Sequence, residues 1–261
     1  MKEPVIEVEH LVTHYGERMI LKGISLTVYK GEIMVIMGGS GSGKSTIFRH
    51  LLALSAPTSG QIRIFGKDIT RLTVQEELEL RRNTGVSFQG GALFNSMSIG
   101  ENVSLPLREH TKLDRRTIKI MCRMKLEMVN LAGFERLMPS ELSGGMIKRA
   151  ALARALIMDP KLLFFDEPSA GLDPVVAADL DNLILRLRKA MGMTIVVVTH
   201  DLDSAFKIAD RITVLDQGEI LQVGTVREIK QTSNARIQDL LNRRMQEADF
   251  DSEAYLQRLY G

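Results

Sequence analysis

An α/β fold with a mixed sheet is what this chain predicts, and three observations carry that reading. The apolar run Ile33-Met34-Val35-Ile36-Met37 leads through a glycine-rich stretch into the helical-looking Ile47–Leu52. Two further runs, 162–165 and 194–199, are apolar nearly throughout, as strands buried on both faces of a parallel sheet are. Between such runs lie segments with apolar residues at 3.6 spacing, so strands alternate with helices. A chain of 261 residues with 44% hydrophobic and 5% aromatic residues has ample material for that core.

At the start, Ile6 and Val8 alternate with Glu7 and Glu9, and Ile24, Leu26 and Val28 repeat the pattern before the turn Lys30-Gly31-Glu32. This predicts antiparallel strands beside the main sheet. The stretch after β-like residues 33–37 reads Gly38, Gly39, Ser40, Gly41, Ser42, Gly43, Lys44, Ser45, Thr46 and satisfies G-x-x-x-x-G-K-[ST]. Its glycines let successive backbone N–H groups turn inward around a phosphate, and the following helix aims its positive dipole end at the same place. Lys44 supplies a mobile cation for β- and γ-phosphates, and Ser45 is placed to ligate Mg²⁺. A plain glycine-serine surface turn would have no reason to sit between a buried strand and a helix. Earlier in the chain, Tyr15 in the loop-like Thr13-His14-Tyr15-Gly16 offers either a face for an adenine ring or simply a half-buried amphipathic side chain.

Pro57-Thr58-Ser59-Gly60 marks a turn, 61–66 a strand, 74–82 a short charged helix, and 85–89 a brief strand ending in Gln89. By itself Gln89 reads as a solvated turn residue. From about 91 to 158 turn residues give way to helical periodicity at Ile118, Met121, Cys122, Lys125, Met128 and Val129, which predicts an inserted helical subdomain. The methionine stripe reads as core packing and Cys122, the lone cysteine, as a small buried hydrophobe in a reducing compartment. Ser143, Gly144 and Gly145 then open a segment rich in helix formers. They make either a second anion-binding helix start or an N-cap serine with a flexible turn.

Residues 161–168, Lys-Leu-Leu-Phe-Phe-Asp-Glu-Pro, end an apolar strand on two carboxylates. In a parallel sheet both acids stand at the carboxyl edge, level with the glycine loop. Asp166 can hold Mg²⁺ through its water shell, and Glu167 can orient or deprotonate the water that attacks the γ-phosphate. Asp173 lies in the turn before a helix over 175–191, and the strand 194–199 ends at His200, which places that imidazole level with the two acids. The hairpin 212–223 follows. Residues 232–261 form an amphipathic tail, with Ile237, Leu240, Leu241 and Met245 on one stripe and Phe250, Tyr255, Leu256, Leu259 and Tyr260 beyond it. That stripe seeks either its own domain or a partner, and since it carries more apolar surface than a free end should expose, packing on a neighbouring subunit is expected.

With 34 basic and 32 acidic residues and a net charge of +2, composition points to no nucleic-acid partner. The first residues form no signal peptide and no run approaches membrane-spanning length, so the chain is expected to stay in the cytosol.

The order Gly38–Thr46, Gln89, Leu142–Met146, Leu162–Glu167, Ser169–Asp173, His200 resembles the motif series of the ATP-binding-cassette (ABC) ATPases, over roughly residues 5–230. The resemblance implies a RecA-like P-loop NTPase fold with an antiparallel β subdomain and an inserted helical subdomain, a nucleotide-binding domain over 1–231, and ATP with Mg²⁺ as cofactors. It further implies a head-to-tail dimer of two copies, with each ATP between the glycine loop of one and the Ser143-Gly144-Gly145 helix of the other. Tyr15 would then stack on adenine, Gln89 reach Mg²⁺ and the attacking water, Asp173 act across the dimer, and His200 sense the γ-phosphate. Met146 departs from the glutamine commoner in the family.

Within the family, Gly91–Phe94, Pro106–Thr111 and Pro139–Met146 resemble the branch serving the Mla (maintenance of lipid asymmetry) system. That implies a subunit on the cytoplasmic face of an inner-membrane permease that moves phospholipid between the two membranes. A STAS-domain protein on the helical subdomain and a periplasmic lipid-binding subunit of the MCE type would complete the assembly. A transporter ATPase for another solute is the alternative; the spacing from Lys44 to Ser143 leaves no room for the long coiled coil of a DNA-repair relative, and one cassette is too few for a translation factor.

Overall fold

Alternating burial sets the first two strands. β1 (Pro4–Tyr15) and β2 (Arg18–Tyr29) pair antiparallel, with Ile6 opposite Val28 and Val8 opposite Leu26. Tyr15 ends β1 instead of standing in a loop, because Gly16 and Glu17 alone make the turn and Gly16 takes the left-handed φ that so tight a hairpin requires. Strand β3 (Ile33–Met37) runs into helix α1 (Lys44–Leu51), after which β4 (Ser59–Ile64) and β5 (Lys67–Asp68) return to β1. The order β2-β1-β4-β5 makes a four-stranded antiparallel sheet of its own.

Helix α2 (Val74–Asn83) starts from a capping box in which Thr73 and Glu76 satisfy each other's backbone N–H groups. β6 (Thr84–Ser87) follows and stops two residues before Gln89, which therefore lies beyond the strand and is exposed. Helices α3 (Ile99–His110), α4 (Arg115–Met128) and α5 (Gly144–Leu156) form the helical region. Asn102 is fully buried and ties it together. Its amide accepts from Phe94 N and donates to the carbonyls of Phe94, Met97 and Ser98. On α4, Cys122 and Leu126 are buried and Met121 and Met128 lean on the core, whereas Ile120 and Met124 face solvent. Burial pushes the Cys122 thiol above its usual pKa, so it is a packing residue.

The remaining elements are β7 (Leu162–Asp166), α6 (Pro174–Met191), β8 (Thr194–Thr199), α7 (Leu202–Ile208), the hairpin β9 (Arg211–Asp216) and β10 (Glu219–Gly224), α8 (Val226–Lys230) and α9 (Ala235–Ala248). This is a computed structural model, and it describes residues 2–248. The main sheet has the order β10-β9-β3-β8-β7-β6, parallel except for β10. It is mixed, as the sequence predicts.

Period-two alternation divides two cores across this sheet. Ile33, Val35, Met37, Leu163, Phe165, Ile195 and Val197 turn toward the helical side. Met34, Ile36, Phe164, Val196 and Val198 turn toward α1 and the antiparallel sheet, where Phe48 meets Phe164 edge-on at 6.0 Å between ring centroids. Such double burial explains why these strands are apolar runs and not alternations. Among the described helices, none is long and apolar enough to cross a membrane.

The first turns of the tail fold back on their own domain. Ile237 is fully buried in the helical-side core, Leu240 and Leu241 pack against it, and Arg236 pairs with Asp216 and Glu219. For these residues the own-domain reading holds and the expected packing on a neighbouring subunit does not, because the domain's own core covers the stripe. The side chain of Met245 and residues 250–260 lie outside what the structure describes. Ile237→Ala is expected to cost about 2–5 kcal/mol in chemical denaturation of the isolated chain, the usual range for emptying a core isoleucine site.

Candidate active site at the carboxyl edge of the sheet

Strand register assembles this site. Met37 pairs with Thr199, Val198 with Asp166, and Phe165 with Ser87, so β3, β8, β7 and β6 all end in one row. The chain leaves each end into a different piece: the glycine loop after β3, Glu167 after β7, His200 after β8, and Gln89 after β6. Residues far apart in sequence meet here because parallel strands all present the same end.

Close packing shapes the loop from behind. A side-chain carbon at Gly38 would lie 2.1 Å from the Leu215 carbonyl oxygen, so only glycine lets β9 and the loop approach. Gly218, in the turn between β9 and β10, donates its N–H to Ser42 O at 3.0 Å and clamps the loop from the same side. In front, Ser40, Gly41 and Ser45 are exposed, while Gly39 is half-buried, with Leu240 beside it. Lys44 Nζ donates to the carbonyls of Gly38 (2.8 Å) and Gly39 (2.9 Å) and acts electrostatically on Asp166. Thr46 is buried at the start of α1. The Ser42 hydroxyl is buried and has no hydrogen-bond partner among the described residues. An orphaned donor, exposed loop backbone, a lysine and a helix start together fit a phosphate chain.

Glu167 takes a left-handed backbone conformation, φ 47°, which is costly for a residue with a side chain. Hydrogen bonds on every side hold it. Its N–H donates to Val198 O at 2.8 Å, and its carbonyl accepts from both Lys148 Nζ and Ala170 N at 3.2 Å. Carboxylate Oε2 accepts from Thr199 Oγ1 (3.0 Å) and His200 N (3.3 Å), while Oε1 lies 2.7 Å from His200 Nδ1. An accepting carboxylate puts the imidazole proton on Nδ1.

Burial raises the Asp166 pKa and neighbouring Glu167 raises it further, while Lys148 and Lys44 pull it down. The two acids are faced by two lysines, so the negative charge that a divalent ion needs would come largely from nucleotide phosphates bound beside them. Among the described residues no cluster of three or more His, Cys, Asp or Glu could hold a metal unaided. A Mg²⁺ here would therefore take ligands from nucleotide phosphates and water as well as from Ser45 and Asp166, as that ion commonly does.

Other candidate residues stand apart from this cluster. The Ser143 hydroxyl accepts from Met146 N at 3.4 Å, so in the single chain it caps α5. Ser143 and Gly144 are exposed, and the helix start lies beside the turn into α6: a side-chain carbon at Gly144 would stand 3.8 Å from Leu172 and one at Gly145 2.7 Å from Val176. Asp173 caps α6, accepting from the N–H groups of Val175 and Val176 at 3.1 Å. Tyr15 is 51% exposed at its hairpin end. Sequence reasoning passed over Thr199 and Lys148. Nothing marked Thr199 beyond its place at a strand end, but Lys148 carried a signal: it shares a helix stripe with the core residues Ala151 and Leu152, and a lysine at a core position needs a partner.

Comparison with known proteins agrees with this geometry. The ABC transporter family signature matches residues 21–170. The chain is 42% identical over 241 residues to the intermembrane phospholipid transport system ATP-binding protein MlaF of Haemophilus influenzae, covering 92% of this chain and 91% of that one. It is equally, 42%, identical over 229 residues to the probable ribonucleotide transport ATP-binding protein mkl of Mycobacterium tuberculosis, covering 88% of this chain and 64% of that one. The fold superposes with a TM-score of 0.77 and 32% identity on the dimeric post-hydrolysis state of the ATP-binding cassette MJ0796 bound to ADP and Pi, over 85% of this chain and 99% of that one. The glycine loop, the paired acids and these likenesses lead to one conclusion: the chain belongs to the ABC transporter family, as a nucleotide-binding ATPase cassette.

Proposed function

We propose that this ATPase powers phospholipid movement between inner and outer membranes, as a peripheral subunit on the cytoplasmic face of an inner-membrane permease. The near end-to-end match to MlaF, 92% of one chain and 91% of the other, is the observation that carries this reading. A second reading, transport of a nucleotide-like solute, draws on the equal identity to mkl, but this chain spans only 64% of that relative. The cassette cannot choose a cargo itself, since its pocket is committed to nucleotide and no described helix spans a membrane.

In the proposed working state two copies of residues 1–231 face head to tail, and the exposed Ser143-Gly144-Gly145 helix start of one closes over nucleotide on the Gly38–Thr46 loop of the other. Exposure of Ser143 and Gly144 in the single chain supports a shared site. Tyr15 stacks on adenine, and Asp173 contacts the partner across the interface. Bound Mg²⁺, held by Ser45 and Asp166 with Gln89 nearby, would offset phosphate charge. Glu167 orients the attacking water and takes its proton while the β,γ-phosphoanhydride bond breaks to give ADP and phosphate. His200, already bonded to Glu167, is placed to follow the γ-phosphate.

Permease coupling falls to the stretch after Gln89. Arg154 on α5 donates to the carbonyls of Gly91 (2.9 Å) and Ala92 (2.7 Å), and Asn102 fastens residues 94–98 to α3, so this stretch moves with the helical subdomain. Phe94 is 51% exposed on it, an apolar contact for the permease. Ile120 and Met124, one helical turn apart and exposed on α4, form the patch proposed for the STAS-domain partner. A periplasmic MCE-type subunit would receive lipid from the permease.

Glu167→Gln is expected to keep ATP binding and to lower turnover by about 10²- to 10⁴-fold in a phosphate-release assay. With Mg-ATP, that variant should sediment as a dimer, and adding Ser143→Arg should return it to monomer while Lys44→Ala weakens nucleotide binding itself. Mass spectrometry of the purified membrane complex should find glycerophospholipid. Recovery of a nucleotide or sugar permease instead would overturn the lipid assignment and leave the ATPase intact.

A further inference from the structure

Lys148 is a charged side chain at a core position. It lies on α5 and is only 8% exposed, and its ammonium reaches the Glu167 carbonyl at 3.2 Å. It also acts electrostatically on both carboxylates, Asp166 and Glu167. Burying a lysine is unfavourable unless its charge is matched, and desolvation indeed works against its protonated form. Where only shape mattered, an apolar residue would fill this place at less cost.

What the ammonium touches is the peptide unit that holds Glu167 in its left-handed conformation. That conformation aims the carboxylate at Thr199 and His200. Five residues earlier, at the N-cap of the same helix, stands Ser143, about 7.5 Å away along the axis at 1.5 Å per residue. One rigid turn and a half of helix therefore joins the segment offered to a partner's nucleotide with the backbone of the chain's own hydrolytic carboxylate.

We propose that Lys148 is a positioning residue that locks the Glu167 backbone to helix α5, so that engagement of Ser143 with the partner's ATP sets the hydrolytic geometry of the chain's own site. This rests on the head-to-tail reading above. Lys148 touches no substrate; its effect passes through Glu167.

The test uses the full chain, with Lys148→Met, which keeps length and burial, Lys148→Gln, which keeps a donor without charge, and Lys148→Arg. Lys148→Met should lower kcat by about 10- to 100-fold, the scale of a small misplacement of a reacting group. KM for ATP should stay within twofold and Lys148→Arg should restore most of the rate. Because closure survives while hydrolysis stalls, Lys148→Met alone should accumulate the ATP-bound dimer in sedimentation, which a merely destabilised core would not do. If Lys148→Met folds poorly, the same split between kcat and KM is read from Lys148→Gln. Wild-type kcat in both, or parallel loss of kcat, ATP binding and melting temperature without rescue by arginine, would overturn the proposal. Failure of Glu167→Gln to dimerise with ATP would instead count against the head-to-tail reading, so the two failures are separable.

Discussion

Parallel register is the constraint on which the rest of this structure depends. Because β6, β7, β8 and β3 run the same way and finish level, a glutamine, two acids, a histidine and a glycine loop are delivered to one edge. A slip of one residue in β7 would exchange Phe164 and Phe165 between the two cores and turn Asp166 away from Lys44. Core packing on both faces therefore holds the chemistry in place. Strands β3, β8 and β7 are interior ones, so no solvent-facing side is free to accommodate such a slip.

Rigidity is spent unevenly along that edge. The glycine loop is braced from behind by Leu215 and Gly218 and left open in front, where a ligand's phosphates belong. Glu167 is held by six hydrogen bonds, with β8, His200, α5 and Ala170, which together keep a backbone conformation that is unfavourable for glutamate alone. Preorganisation of this kind would leave little to reorder in the proposed attack by water.

Helix α5 connects parts that the sheet keeps apart. Its start is exposed beside α6, its middle touches Glu167 through Lys148, and its end holds Gly91 and Ala92 through Arg154. In the proposed head-to-tail assembly, a stiff helix with three such attachments would transmit displacement between the dimer surface, the acid pair and the stretch proposed to reach a permease. Its apolar faces, Ala150 to Leu152 and Leu156, are fully buried, which lets it move only as a body with the helical core.

Much of this was legible before any coordinates. Buried parallel strands are apolar on both faces, so Ile33–Met37, Leu162–Phe165 and Thr194–Thr199 announce themselves, and the spacing of glycines and lysine in 38–45 encodes a loop whose geometry is local. Tertiary structure alone decided which side chains answer each other. That Glu167 bonds His200 and Thr199 depends on the β7–β8 register, and that α9 lays Ile237 into its own core depends on a surface supplied by other helices. Tyr15 joined a strand because cross-strand pairing outweighed its loop-like neighbours. Lys148 shows the limit most clearly: a one-dimensional pattern reveals that a charge sits in an apolar stripe, but only the fold brings the Glu167 carbonyl within its reach.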